Sequence, residues 1–353
     1  MAKVLLYCTQ LLATGGIESH VKQFCFNLSA TGVEVDLISP AGFVDSDNEK
    51  KLREACRRVS FYRGKNRWVR LPWLWLTILL ANRRRYDTLY TNGQGATIGW
   101  VANLLVNRRK WVHHHHTSGD QEDRATWPKT YSRAMQTADS VIACSQNNAD
   151  DISTALQRPI KVIPCFSRGL EYRHKNAPID RALTFGYYGR LIKEKGIELL
   201  CSLSQDEALG GIEFHFWGAE DTYDRHYFHQ FPRVTFHGSF HGNDELQKVV
   251  DSLDAFILAS THPEGLPISL LEVMSAGKPW IASDRGGVRD IACDTESTVL
   301  LPKNFDSNQL KKAILELARG IRSQKISGVA QTEYYRKFFS ASAVGEQWKQ
   351  HLA

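Results

Sequence analysis

The chain has 353 residues, of which 42% are hydrophobic and 23% charged; this predicts two globular domains and excludes a disordered chain, a collagen and a disulfide scaffold. Its net charge of +6 is unevenly distributed, because residues 1–165 hold 22 Lys and Arg against 14 Asp and Glu while the remainder is slightly acidic. The asymmetry indicates that the N-terminal half meets an anionic ligand or a membrane surface.

Neither an export signal nor a membrane span is expected. The N-terminus lacks the long apolar stretch of a signal peptide, and the longest uncharged apolar segment, 71–81, is 11 residues long, against the roughly 20 needed to cross a bilayer. The seven cysteines contain no C-x-x-C pair, and several lie in apolar runs, where a thiol behaves as a small hydrophobic group. We therefore expect a cytoplasmic protein in a reducing compartment.

Apolar runs alternate with segments of helical period in the N-terminal half, which predicts a parallel sheet covered on both faces. The predicted strands are 4–8, 33–38, 59–62, 88–91, 110–116, 140–144 and 161–164, and the predicted helices include 18–30, 71–84 and 127–137. The pair Asp45 and Asp47 imitates a metal-binding D-x-D motif, but the commoner role of such residues is at a helix N-terminus.

A polar stretch, 167–178, predicts an interdomain linker, after which the alternation begins again. The second set of predicted strands is 183–188, 213–217, 234–237, 255–259, 280–283 and 298–301, with helices near 196–209, 243–253, 267–276 and 307–319. The aromatic-rich segment 332–352 predicts a further helix. We thus expect an N-terminal domain at 1–165, a C-terminal domain at 166–331, and a helix at 332–353 that packs back on the N-terminal domain.

Two adjacent glycines, Gly15 and Gly16, follow the first predicted strand and precede a predicted helix. They let a ligand approach the backbone closely, and a helix N-terminus favours negative charge, so the pair suits a sugar diphosphate. The G-x-G-x-x-G spacing of dinucleotide-binding proteins is absent. A turn that only reverses the chain is the structural alternative.

Two cations, Arg190 and Lys195, lie in the loop after predicted strand 183–188. The Arg fork matches phosphate oxygens and Lys supplies a mobile point charge, so the pair can stabilise the charge on a departing nucleotide. Because Lys and Arg are mostly exposed in proteins, simple solvation is the alternative.

Two carboxylates eight residues apart, Glu264 and Glu272, frame the start of predicted helix 267–276. Glu272 lies in an otherwise apolar stretch, and a buried carboxylate needs partners, which ribose hydroxyls would supply. The alternative is a helix cap at Glu264 and an ion pair in the core at Glu272.

Three motifs, in this order along both predicted domains, resemble the large retaining glycosyltransferase family often labelled family 4, or group 1. They are Gly-Gly-Ile-Glu at 15–18, Gly-Arg-Leu-x3-Lys-Gly at 189–196, and Glu264-x7-Glu272 followed by Ala-Gly-Lys-Pro at 276–279. The resemblance implies an α/β fold of the GT-B type, in which two Rossmann-like, doubly wound domains face each other across a cleft.

The resemblance also implies the site. Arg190 and Lys195 would bind the donor diphosphate, Glu264 would contact the donor sugar, and Glu272 would hold the nucleotide ribose. Further donor contacts are expected at Gly15, Gly16, Gly189 and the backbone around Gly265, Leu266 and Ile268. The anomeric configuration would be retained, the departing phosphate would accept the proton, and a UDP- or GDP-linked sugar would be the co-substrate, with no metal and no other cofactor.

Four consecutive histidines, His113 to His116, end predicted strand 110–116. In the family that the chain resembles, a histidine at the end of a strand in the first domain lies beside the donor sugar and the acceptor. We favour His116 for this role, with His115 and His114 as alternatives. A polar strand end or adventitious metal capture would be the non-functional interpretation.

Basic and aromatic residues surround the predicted helix 71–84, with Arg63, Lys65, Arg67 and Arg70 before it and three arginines, 83–85, at its end. Such a helix can lie at a membrane interface, although its apolar centre favours burial in the domain. We hypothesise contact with an anionic membrane and an acceptor anchored there, at the inner face of the cell membrane.

The predicted function is transfer of a sugar from a nucleotide-diphosphate sugar to a hydroxyl of a glycan or lipid-linked glycan, in bacterial surface polysaccharide or lipopolysaccharide synthesis. No nucleic-acid partner is expected. Two alternatives remain: a nucleotide-sugar epimerase of the same architecture, and a non-catalytic protein that binds nucleotide sugars.

Overall fold

The computed structural model describes residues 2–13, 15–104, 107–173, 180–293 and 296–352. The chain forms two compact units. The N-terminal unit extends to Phe166 and includes the C-terminal stretch from Ala341, and the C-terminal unit is Ser167–Ser340. Each unit contains one large parallel sheet.

Seven strands build the sheet of the N-terminal unit, in the order β5-β3-β1-β6-β7-β8-β9, and two short strands, β2 and β4, pair with each other. The strands are β1 Lys3–Cys8, β2 Leu11–Leu12, β3 Glu34–Ser39, β4 Gly42–Phe43, β5 Arg58–Phe61, β6 Tyr86–Asn92, β7 Arg108–His115, β8 Ser140–Ala143 and β9 Lys161–Val162. The helices are α1 Gly16–Ala30, α2 Ser46–Ala55, α3 Arg67–Asn82, α4 Ile98–Leu104, α5 Gln121–Ala125, α6 Lys129–Thr137 and α7 Gln146–Leu156.

Six parallel strands build the sheet of the C-terminal unit, in the order β12-β11-β10-β13-β14-β15. They are β10 Leu183–Tyr188, β11 Ile212–Trp217, β12 Val234–Gly238, β13 Ala255–Leu258, β14 Trp280–Ser283 and β15 Thr298–Leu301. The helices are α8 Ile197–Leu203, α9 Arg225–Phe228, α10 Gly242–Ser252, α11 Ile268–Ser275, α12 Ser307–Arg322 and α13 Val329–Phe338, and short 3-10 helices occupy Lys193–Lys195, Glu207–Leu209 and Gly286–Ile291.

The C-terminal segment differs from the single helix expected over 332–353. Helix α13 packs against α11 in the C-terminal unit, whereas a separate helix, α14 Ala341–Leu352, contacts α1 in the N-terminal unit. Val344, Trp348 and Leu352 of α14 are buried in the same hydrophobic cluster as the inner strands β1 and β3. The expected linker, 167–178, belongs to the C-terminal unit as far as Arg173, and the rest of it lies outside the described residues.

Helices cover both faces of each sheet, so the inner strands are buried on both sides. Strands in this position have largely apolar sequences. Every residue of β10 is buried, and so is every residue of β13 and β14. The helix start expected at Asp45 is confirmed, because its side chain caps α2 by accepting a hydrogen bond from the Asn48 N–H at 2.9 Å.

Helix α3 corrects the expectation that its apolar centre is buried. One stripe, formed by Leu74, Thr77, Ile78 and Ala81, faces the core. The opposite side exposes six large hydrophobic residues, which are Trp68, Val69, Leu71, Trp75, Leu76 and Leu79. The sequence places apolar residues on most faces of this helix, but the core of the unit covers only one of those faces. Within the described residues, no helix combines the length and the apolar character needed to cross a membrane.

Candidate active site

The loop after β10 carries Arg190 and Lys195 and packs against the loop after β13. Gly196 makes this close approach possible: its φ is +77°, and a Cβ there would lie 2.5 Å from the carbonyl oxygen of Ala259. The Thr261 N–H donates a hydrogen bond to the Glu194 carbonyl at 2.8 Å. β10 and β13 are neighbours in the parallel sheet, so these loops meet at its carboxyl edge, where open α/β sheets bind ligands.

Lys195 and Glu264 form a buried ion pair between these two loops. The Lys195 ammonium donates a hydrogen bond to Glu264 Oε1, and only 12% and 10% of the two side chains are exposed. Burial alone would raise the pKa of Glu264, but the charge and hydrogen bond of Lys195, with smaller contributions from Ser260 and His262, together outweigh burial, and the pKa is lowered. Glu264 is therefore an anion at neutral pH, held by a cation from the neighbouring loop.

Arg190 belongs to the same loop as Lys195 and is exposed. The Tyr187 hydroxyl donates a hydrogen bond to the Arg190 carbonyl at 3.2 Å. Burial raises the pKa of Tyr187, Glu264 raises it further, and Arg190 opposes both effects. The structure thus brings Arg190, Lys195 and Glu264 to one edge of the sheet.

Glu272 already has protein partners, which corrects the argument that ribose hydroxyls are needed to offset its burial. Arg168 Nε donates to Glu272 Oε1 at 2.6 Å, and the Tyr188 hydroxyl donates to Oε2 at 3.1 Å. The ion pair in the core, given as the alternative for Glu272, is what the structure contains. A contact of Glu272 with ribose stays a prediction.

Backbone groups predicted to contact the donor lie where α11 begins. Pro267 directly precedes the helix, and Ile268 is its first residue, so the Ile268 N–H has no partner within the helix. The Gly265 carbonyl accepts a hydrogen bond from the Gly287 N–H at 2.8 Å, which fixes the loop that also contains Leu266. Gly189, at the end of β10, has a φ of +140° and donates its N–H to the Trp217 carbonyl at 3.0 Å.

The glycine pair of the N-terminal unit stands at the start of α1. Gly15 has a φ of +140° and directly precedes the helix, and Gly16 is its first residue. A Cβ on Gly16 would meet no atom within 4 Å, whereas one on Gly15 would lie 2.1 Å from the Glu18 carboxylate. The position that we assigned to an anion therefore has an acidic side chain beside it. The preceding residue of this loop, 14, lies outside the described residues.

The four histidines alternate between the two faces of the sheet, as strand geometry requires. His113 and His115 face Tyr131, whose hydroxyl lies 2.8 Å from His113 Nε2 and 2.7 Å from His115 Nδ1. His115 Nε2 lies 2.9 Å from Asp123 Oδ2. Burial raises the pKa of Asp123, whereas the hydrogen bonds of this carboxylate to His115 and Thr117 lower it. The net effect is a lowered pKa.

His114 and His116 face the opposite side, where two cysteines lie. Cys144 Sγ lies 3.3 Å from His114 Nε2, and Cys165 Sγ lies 3.3 Å from His116 Nδ1. The Cys144 thiol, with a smaller contribution from His116, lowers the pKa of Cys165 against the effect of burial. His116 is 9% exposed and the other three histidines are fully buried; its role beside the donor stays a prediction.

Sequence reasoning missed the partners of the predicted residues, among them Arg168, Asp123, Cys144 and Cys165. Arg168 fell within the expected linker, and Asp123 in a segment to which we assigned no element. The two cysteines gave a usable signal, because Cys144 ends one predicted strand and Cys165 directly follows another. The ends of parallel strands lie at one edge of the sheet, so a strand-end rule would have placed both near the histidines.

Comparison with known proteins decides the family. Residues 14–166 match glycosyltransferase family 4, and residues 170–326 match glycosyl transferases group 1. The chain belongs to the group 1 glycosyltransferases. Over 164 residues, which are 46% of this chain and 39% of the relative, it is 27% identical to a GDP-mannose-dependent alpha-mannosyltransferase of Mycobacterium tuberculosis. The chain spans less than half the length of the curated relatives it matches.

Solved structures agree with this group 1 glycosyltransferase in fold. Sucrose-phosphate synthase from Thermosynechococcus elongatus superposes with a TM-score of 0.77 at 21% identity, covering 99% of this chain and 98% of that one. Anabaena HepE, in complex with UDP-glucose, superposes with a TM-score of 0.74 at 18% identity, covering 99% of both chains. The protein has the GT-B fold of two Rossmann-like domains.

Proposed function

We propose that this glycosyltransferase moves a sugar from a UDP- or GDP-linked donor to a hydroxyl of a glycan or lipid-linked glycan, with retention of anomeric configuration. The complex of HepE with UDP-glucose and the GDP-mannose dependence of the mycobacterial relative support these two classes of donor. We assign the reaction to bacterial surface polysaccharide or lipopolysaccharide synthesis in the cytoplasm.

The buried pair of Lys195 and Glu264 is the observation that carries this proposal. Two opposite charges with little exposure, on neighbouring loops at the carboxyl edge of the sheet, provide one group for a phosphate and one for sugar hydroxyls. When a donor binds, its diphosphate competes for the Lys195 ammonium, and the Glu264 carboxylate becomes available to accept hydrogen bonds from the sugar.

Charge stabilisation then accounts for most of the rate. Arg190, exposed in the same loop as Lys195, approaches the diphosphate as its negative charge grows in the transition state. The N–H groups at the start of α11 add donors whose orientation the helix fixes. In this proposal the departing phosphate accepts the proton of the acceptor hydroxyl, so neither an enzyme carboxylate nor a metal ion serves as the base.

The acceptor is proposed to lie at an anionic membrane, next to helix α3. Six large hydrophobic side chains cover the outer side of this helix, and Trp68 is the most exposed of them, at 72%. Exposed apolar patches of this kind mark interaction surfaces. Arg63 and Arg84 pair with Glu49 and Asp36, but within the described part of the chain Lys65, Arg70, Arg83 and Arg85 form no ion pair and stay available for lipid phosphates.

Substitution of Lys195 tests the site. Once a panel of UDP- and GDP-linked sugars has identified the donor by calorimetry, Lys195→Gln should weaken its binding roughly 10- to 100-fold, the loss expected for one charged hydrogen bond. Transfer to acceptor should fall by at least about 100-fold, because the same charge stabilises the leaving group. Glu264→Gln should also reduce transfer at least about 10-fold.

Lys193→Gln is the matched control, because Lys193 lies in the same turn with 74% of its side chain exposed. It should bind and transfer as the unmodified enzyme does. Normal transfer by Lys195→Gln would contradict the proposed site. Donor incubated without acceptor should keep its sugar configuration, and an epimer in that experiment would favour the epimerase alternative.

A further inference from the structure

Two histidines and two cysteines converge at the carboxyl edge of the sheet of the N-terminal unit. His114 and His116 come from the end of β7, Cys144 directly follows β8, and Cys165 lies three residues after β9. All four side chains are buried, and their ligand atoms lie within 4.8 Å of one another. Among the described residues, no other group of three or more such side chains is arranged to hold a metal ion.

Three sulfur–nitrogen separations among these atoms, 3.3, 3.7 and 3.3 Å, suit a tetrahedral metal site, and the two sulfurs would move about 0.5 Å further apart to hold the ion. With zinc bonds of about 2.3 Å to sulfur and about 2.0 Å to nitrogen, tetrahedral geometry places the ligand atoms about 3.3 to 3.8 Å apart. The two sulfurs lie 3.3 Å apart, and Cys144 Sγ lies 3.3 Å from His114 Nε2 and 3.7 Å from His116 Nδ1. A disulfide would need sulfur atoms about 2.04 Å apart.

Neighbouring side chains hold the two rings in suitable orientations. Tyr90 Oη lies 2.9 Å from His114 Nδ1, which turns the other ring nitrogen, Nε2, towards Cys144. Tyr90 is itself 2.9 Å from His20 Nε2, and His20 Nδ1 accepts the Phe166 N–H at 3.0 Å. Hydrogen bonds to the second nitrogen of a ligating histidine are a regular feature of metal sites.

Charge balance favours a dication in this buried place. A divalent ion with two thiolates and two neutral imidazoles has no net charge, so its burial avoids the large desolvation cost of an isolated ion. Two thiolates with two imidazoles in tetrahedral arrangement select zinc among the common metals. Four protein ligands leave no open position for substrate, which is the arrangement of structural rather than catalytic zinc.

We propose that His114, His116, Cys144 and Cys165 bind one structural zinc ion. The ion ties the ends of β7 and β8 to the segment after β9, at the edge where the loops of this unit begin. Ligation of His116 through Nδ1 leaves its ring proton on Nε2, an atom without a hydrogen-bond partner among the described residues. The zinc site does not depend on the proposed transfer reaction.

Metal content tests the proposal directly. The full chain, produced in zinc-supplemented medium, released from any affinity tag and dialysed, should contain about one zinc ion per chain by mass spectrometry of its metals. X-ray absorption at the zinc edge should give a first shell of two sulfur and two nitrogen atoms. Removal of the metal by a chelator should lower the Tm by at least about 5 °C, and added zinc should restore it.

The variant Cys144→Ser/Cys165→Ser should retain less than about a tenth of the zinc. Cys25→Ser is the matched control, because Cys25 is a buried cysteine of the same unit with a neighbouring thiol, Cys56, and it should keep its full zinc content. The absorption experiment uses the unmodified chain, so it decides the matter even if the double variant does not fold.

Three results would overturn the proposal. The first is an unmodified chain that stays free of zinc in supplemented medium and, once reduced, binds no cobalt(II) with the absorption bands of a tetrahedral thiolate complex. The second is a Cys144–Cys165 disulfide, seen as two cysteines that resist alkylation until reductant is added. The third is zinc retained equally by the double variant, which would place the metal elsewhere.

Discussion

Glu272 illustrates what a single residue reveals before its neighbours are known. A carboxylate within an apolar helix needs partners, because an unpaired buried charge is costly. The residues next to Glu272 in the sequence offer no partner of opposite charge, so ribose hydroxyls were the predicted partners. The partner is Arg168, 104 positions away, at 2.6 Å, and only the order of strands in the folded sheet brings it there.

The ion pair of Arg168 and Glu272 should be important for stability. Arg168→Ala leaves Glu272 buried, with 2% of its side chain exposed, and without its cation. Breaking a buried ion pair in this way costs roughly 3 to 5 kcal/mol, so the unfolding midpoint of the C-terminal unit in urea should fall clearly. Circular dichroism during urea titration measures this change.

Arg173→Ala is the control for that change. Arg173 pairs with Glu171 and Asp251, but 55% of its side chain is exposed, and solvent screening leaves exposed ion pairs with little effect on stability. Equal losses in the two variants would mean that the Arg168 pair is no more important than one at the surface.

Among the secondary-structure elements, the bounds of the strands were easier to predict than the question of which helix face is buried. Strands 183–188, 280–283 and 298–301 begin and end where the sequence predicted, because an apolar run between turn residues is a local signal. Helix α3 was predicted as well, but not the side that stays uncovered. Which of its apolar faces meets the core depends on the elements that pack beside it.

Helix α3 should bind membranes through its exposed side. Leu76→Ser/Leu79→Ser removes two side chains with 59% and 51% exposure and should reduce co-sedimentation with vesicles of anionic phospholipid at least about 10-fold, since each loses apolar area that would enter the interface. The purified chain should sediment less with uncharged vesicles and less at high salt.

Val329→Ser provides the comparison, because Val329 is an exposed hydrophobic residue, at 42%, on helix α13 of the other unit. The Val329→Ser variant should bind vesicles as well as the unmodified chain does. If the unmodified chain shows no affinity for anionic vesicles, the membrane proposal fails, while the proposed transfer reaction is still open to its own test.

At the scale of the whole molecule, the chain leaves the N-terminal unit at Phe166 and returns to it at Ala341. His351 of α14 lies where the helix meets the sheet, with Nε2 3.1 Å from Ser140 Oγ and Nδ1 3.1 Å from Lys161 Nζ. Burial, reinforced by the charges of Lys110 and Lys161, lowers the pKa of His351 to about 4. The ring is therefore neutral in the folded protein at neutral pH.

The docking of α14 should weaken in acid. In the unfolded state the pKa of a histidine is about 6.5, whereas that of His351 in the folded state is about 4. Between these two pH values the unfolded state binds a proton that the folded state does not bind. The free energy of unfolding therefore decreases as the pH falls from about 6.5 to about 4. His351→Gln should flatten the fall of the Tm over this window, measured by calorimetry. His226→Gln, at an exposed position of the other unit, should keep the slope of the unmodified chain.

The alternation of strands and helices, the α/β class, the two-domain organisation and the family motifs could all be recognised in the sequence. These follow from apolar periodicity and turn residues, which act over a few neighbouring positions. The loop residues Arg190, Lys195 and Glu264 could be named for the same reason: each closely follows a strand, and the ends of parallel strands meet at one edge.

Which side chains pair at those edges became clear only in the folded chain. The contact of Lys195 with Glu264, the Arg168 pair, the cluster of His114 and His116 with two cysteines, and the return of α14 all join residues far apart in the chain. Their distances depend on strand order, on the registers of pairing and on which helix faces are covered. Those choices minimise the free energy of the whole packed unit, and no short window of sequence contains them.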